Sequence, residues 1–71
     1  MANKTLDISL RNQFASDPQK AEVVRDELSK AWESLSKVRK EVDLTEVADN
    51  YLEGVQASLY MAILTAKEFI R

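Results

Sequence analysis

The chain has 71 residues with one Gly, one Pro, no Cys and no His, and its ten Lys and Arg against twelve Asp and Glu leave a net charge of −2. That length allows one small domain near the lower limit of what a hydrophobic core stabilises alone, so a partner or self-association enters as an option before any motif is considered. Without Cys or His the chain lacks disulfides, thiolates, the commonest general base and the commonest metal ligand, and its acidic balance offers nothing to a phosphate backbone. Enzyme chemistry, metals, small-molecule substrates, cofactors and nucleic acid are all disfavoured. Ala, Leu, Val, Glu, Lys and Ser dominate, which predicts an all-helical protein.

The first stretch, TLDISLRNQFASD, carries Leu6, Ile8, Leu10 and Phe14. Leu6, Leu10 and Phe14 share a helical face, while Leu6, Ile8 and Leu10 also fit a strand period. The segment is read as a short helix over residues 5–15. Its start, MANKTLDIS, has no apolar run of the secretory type, so a cytoplasmic location is expected.

Next comes SDPQ, where Ser16 or Asp17 can cap a new helix and Pro18 suits its first turn. From there Ala21, Val24, Leu28, Ala31, Leu35, Val38 and Val42 follow spacings of three and four, an apolar heptad stripe flanked by Trp32. A helix over residues 17–42 is expected, with Val24, Leu28, Trp32, Leu35 and Val38 in its core face. Asp26 with Lys30 and Glu33 with Lys37 stand at i, i+4 on a solvated side, and Lys37, Arg39 and Lys40 suit the negative end of the helix dipole.

Asp43 or Thr45 can cap a third helix over residues 45–70. One continuous helix is the rival, but carrying the heptad register through the gap would put Thr45, Asp49 and Gln56 in the core, so a break near Asp43 is preferred. Two helices of similar length with a short link predict an antiparallel hairpin, the whole forming a single domain over residues 1–71. Leu52, Val55, Leu59, Ala62 and Phe69 are its expected core positions on the third helix.

Within that helix residues 54–66, GVQASLYMAILTA, contain no charge, yet the run falls short of the roughly 20 residues that span a bilayer. Ala57, Tyr60, Met61 and Leu64 lie round the back of the core stripe, and either the N-terminal segment folds over them or another protein does. Gly54, Ser58, Ala62 and Ala66 form a ridge of small side chains that either makes room for Trp32 or admits a second helix. Glu46, Asp49 and Glu53 share a face and read as an acidic, solvated first turn and a half.

The order of parts, a short LDISLRN segment, a capped break, a long charged helix, a tight turn and an Ala/Leu/Ile-rich last helix, resembles the small YscE-type co-chaperones of type III secretion needle subunits. The matching residues are Leu6, Asp7 and Leu10, then Leu28 and Leu35, then Tyr51, Leu52, Glu53, Ala57 and Ala62, Ile63 and Leu64. The resemblance implies a cytoplasmic protein that pairs with a helical-repeat chaperone, the pair holding a needle subunit unpolymerised before export. Independently of it, a small homodimeric helical adaptor or regulator would use the same uncharged face.

Overall fold

A computed structural model describes the backbone of residues 2–70 and the side chains of residues 8–70. It contains three helices, α1 (Ala2–Ser16), α2 (Pro18–Glu41) and α3 (Glu46–Lys67), and no strand among the described residues. The two boundaries have distinct local causes. Ser16 turns its hydroxyl back to donate to the carbonyls of Asn12 and Gln13, closing α1, while the Asp17 carboxylate accepts from the Gln19 N–H at 3.2 Å and caps α2 ahead of Pro18. Residues 42–45 are non-helical, and Thr45 rather than Asp43 caps α3, its hydroxyl accepting from the Ala48 N–H at 3.1 Å. α3 ends at Lys67, so Phe69 and Ile70 lie in a turn beyond it rather than on it.

α2 and α3 pack along their lengths as an antiparallel hairpin, and α1 touches both at the open end. There Phe14, only 1% exposed and the one large side chain fully buried among the described residues, sits against Ala21 and Ala66, with Leu10, Val24, Phe69 and Ile70 around it. The Phe14 and Phe69 rings meet tilted at 59° with centroids 5.8 Å apart, an arrangement that adds edge-to-face attraction to the burial. Arg11 of α1 pairs with Glu68 just past α3 on the surface.

The core is thin. Among the described residues only Phe14, Ala21, Ile63 and Ala66 are buried apolar groups, and the expected core residues Val24, Leu28, Trp32, Leu35, Leu52, Val55, Leu59, Ala62 and Phe69 are half-buried. The molecule measures 42 × 26 × 12 Å with a radius of gyration of 13.8 Å, where a compact chain of this length has about 11 Å. Its accessible surface is 5583 Å², whereas about 4,500 Å² is usual for a monomer of 8.1 kDa. The hairpin is thus a flat layer with two broad faces.

Phe14→Ala removes the only large fully buried side chain among the described residues and should destabilise the fold by about 3 to 5 kcal/mol, enough to leave little cooperative structure. Urea unfolding followed by circular dichroism checks this. An unchanged midpoint would show that α1 is not part of the cooperative unit.

Candidate protein-docking face

The two broad faces differ in chemistry, and helical periodicity explains why. Arg39 lies about five full turns after Ala21 and returns to the same side of α2, whereas Val38, one residue earlier, is rotated away by roughly 100°. A heptad stripe on an α-helix drifts by about 20° per repeat, so the α2 stripe leaves the seam as it runs toward the turn. Val38 is accordingly exposed, contrary to its expected place in the core, and the polar Ser36 and Arg39 take over the seam.

On one face these polar groups close a network. Arg39 donates from Nε and Nη2 to the two carboxylate oxygens of Asp49, at 2.8 and 3.2 Å, and from Nη1 to Gln56 Oε1 at 2.8 Å, with Glu53 at 3.5 Å. Gln56, 5% exposed, donates in turn to Ser36 Oγ at 2.7 Å and to the Trp32 carbonyl at 3.0 Å. Arg39 therefore bridges α2 to α3 instead of merely facing a helix dipole, and Asp49 and Glu53 are its partners instead of a solvated row. Its guanidinium holds the Asp49 carboxyl below the ordinary carboxylate range, chiefly through the hydrogen bond, with partial desolvation opposing and charge attraction adding. Beside the network lies an open basin of about 720 Å³ whose lining mixes both signs of charge, among them Lys37, Lys40, Glu41 and Asp49.

The opposite face is apolar. Val24, Ala31, Leu35, Val38 and Val42 on the α2 side and Val47, Tyr51, Val55, Ser58, Ala62 and Thr65 on α3 occupy the same side of the seam by azimuth, where the one charged residue is Lys20 at the open end of α2. α1 lies across the open end of this face, where Leu10 and Val24 both pack against the Phe14 cluster, and Thr65 is buried nearby with its hydroxyl donating to the Met61 carbonyl at 3.0 Å. Toward the turn nothing among the described residues covers it. Val47 is 80% exposed and Tyr51 73%, and Ala31, Val38, Val42 and Ser58 are exposed beside them.

The four residues expected to meet a partner, Ala57, Tyr60, Met61 and Leu64, are all exposed. α1 does not cover them: Phe14 is spent on Ala21 and Ala66, Ile8 faces solvent, and Leu6 lies outside the described side chains. Met61 borders the apolar face, Ala57 and Leu64 lie on the outer edge of α3, and Tyr60 falls beyond it toward the polar side. The residues that sequence reasoning missed are Val47 and Tyr51, apolar positions of the third helix to which it gave no part in a surface, and Val38 and Val42, assigned to the stripe. The signal that could have found them is the drift of a heptad pattern against the helical period. Gly54 also differs from expectation, because a Cβ there would meet nothing within 4 Å, so Trp32 does not need the space.

No protein-family model, curated protein or solved structure matches this chain.

Two predictions follow from the seam and its edge. Because Asp49 is depressed in the folded state, the stability it contributes is complete above the pKa of an unfolded carboxylate and drains away as pH falls through the lower folded value. Urea midpoints at pH 7 and pH 3 should therefore differ less for Asp49→Asn than for the parent chain; an equal difference would mean that the pair adds nothing. Gly54→Ala, with open space around it in mid-helix, should stabilise the free protein by up to about 1 kcal/mol, and a loss of stability would place a neighbour there.

Proposed function

We propose that this chain is a non-enzymatic protein-binding module that presents the apolar face of its α2 and α3 layer to a protein partner. The observation that carries the reading is the charge-free surface around Val38, Val42, Val47 and Tyr51, which remains open after α1 has taken its place at the other end. Large contiguous apolar surface on a small protein is unfavourable in water and marks a place where another protein sits. Exposed Met61 borders it on α3.

In its finer form, which follows the similarity to YscE-type proteins, the partner is a helical-repeat chaperone. The heterodimer then keeps a type III secretion needle subunit unpolymerised in the cytoplasm before export, a virulence-associated role. What supports this form is the order of parts, a short first helix and a helical hairpin, together with an apolar face left free for a second protein. No helix among the described residues is long and apolar enough to cross a membrane.

Affinity capture from a lysate of the source organism tests both forms, using the parent chain and the double variant Val47→Asp with Tyr51→Asp, each first shown to be fully helical by circular dichroism. The parent should recover a helical-repeat protein, the double variant should lose it, and Tyr60→Asp should weaken capture less. Equal recovery by parent and double variant would rule out this face, and recovery of a partner without helical repeats would end the chaperone form.

A further inference from the structure

Resting on the docking reading above, we infer that the occupant of the open apolar face is a single amphipathic helix of a partner protein, about three turns long, with apolar anchors at i, i+4 and i+7 and basic residues along its flanks. The first argument is that the face already holds one such helix. α1 docks on its open end through Leu10 and Phe14, which stand at i, i+4, and through Arg11 reaching the acidic Glu68. The chain thus displays in cis the kind of element the surface accepts.

The uncovered part runs from Ala31 to Val42 along α2, about 16 Å at 1.5 Å per residue, which matches three turns of a partner helix. Val38 and Val42 form one wall, and Val47 and Tyr51 the other, with half-buried Leu35 and Val55 between them. Ser58 and Gly54 keep the α3 edge low, so a helix can approach closely there. The chain exposes about 1,100 Å² more than a monomer of its mass, and one side of a standard interface buries about 800 Å². The excess is of the size that one docked element would remove.

The rim decides the sign of the flanks. Glu27 and Glu41 stand exposed along the α2 edge of the face and Asp43 in the turn, nearer to it than Lys37, which lies further round α2, and Lys30, which pairs with Glu27 at 3.4 Å. A second copy docking face to face would bring these acids against one another, at a cost in like-charge contact. A helix with Lys or Arg on its flanks meets them with complementary charge.

The test uses the full chain, isotopically labelled, and three synthetic helical peptides. All have the same length; two carry Leu at i, i+4 and i+7 with either Lys or Glu flanks, and the third keeps the Lys flanks with Ser in place of Leu. Titration followed by nuclear magnetic resonance should show the Lys-flanked Leu peptide shifting the amides of Val38, Val42, Val47 and Tyr51. The Glu-flanked peptide should bind about tenfold more weakly, a gap that narrows at high salt, and the Ser peptide should not bind. Glu41→Lys should shrink the preference without altering helicity. Equal binding of the Lys and Glu peptides, shifts confined to other surfaces, or no binding by the Lys peptide would overturn the proposal. So would sedimentation of the free chain as a dimer that buries these same residues. Should lysate capture still depend on Val47 and Tyr51 while the Lys peptide fails, the docking face stands and only the chemistry of its occupant falls.

Discussion

Two antiparallel helices close only the seam between them, and each leaves roughly half of its circumference to be covered by something else. A third helix as short as α1 can cover only one end of one face. Here it covers the end where α2 begins and α3 finishes, because that is where the small Ala21 and Ala66 leave a hollow deep enough for Phe14. The position of α1 therefore decides which surface stays open. Phe14 fixes α1 at the open end, so Val47 and Tyr51 at the other end have no intramolecular cover.

The seam itself changes character along its length, and this determines the contrast between the faces. Near the open end it is closed by apolar contact, with Ile63 and Ala66 buried on α3. Toward the turn it is closed by the network of Arg39, Asp49, Gln56 and Ser36, in which every buried side-chain nitrogen and oxygen among the described residues is satisfied. Hydrogen bonds of this kind hold register, because a one-residue slip of either helix would separate the bidentate Arg39 and Asp49 pair. They contribute less net stability than equivalent apolar burial, since each replaces a bond to water. Register fixed by polar groups and stability supplied by a small apolar cluster leave a correctly aligned hairpin with little energetic reserve.

Much of the architecture was legible in the residues. Pro18 behind Asp17 marked the first break, the polar residues that a continued heptad would carry into the core, with the cap at Thr45, marked the second, and the alternating spacings marked the paired helices. What periodicity could not deliver was the azimuth at which the pair meets. A heptad reading holds the contact line fixed, but straight helices that do not supercoil let it wander, so Val38 and Val42 left the interface and Arg39 entered it. Gln56 was misjudged for a related reason. Its presence at a core position counted against a continuous helix, yet the hairpin buries it all the same, because Arg39, Ser36 and the Trp32 carbonyl answer all its polar atoms. A buried amide is excluded by residue type only where no partners converge on it, and convergence is a property of the fold.

Gly54 brings the stability and the surface arguments together. In the middle of α3 it forfeits about 1 kcal/mol relative to Ala, and no neighbour in the free chain requires its lack of a side chain. It lies on the edge of the apolar face, between Tyr51 and Ser58, where a side chain would raise the wall over which a docked helix must pass. A protein with so thin a core has little reason to give up that stability for its own packing. On the docking reading proposed above, the same glycine would lower the approach for a partner while it weakens the helix that receives it, so the free chain is less stable than its sequence could make it and a complex would gain the closer contact. A partner that engaged only the folded hairpin would restore what the free fold lacks, since its binding would shift the unfolding equilibrium by an amount that grows with the logarithm of its affinity.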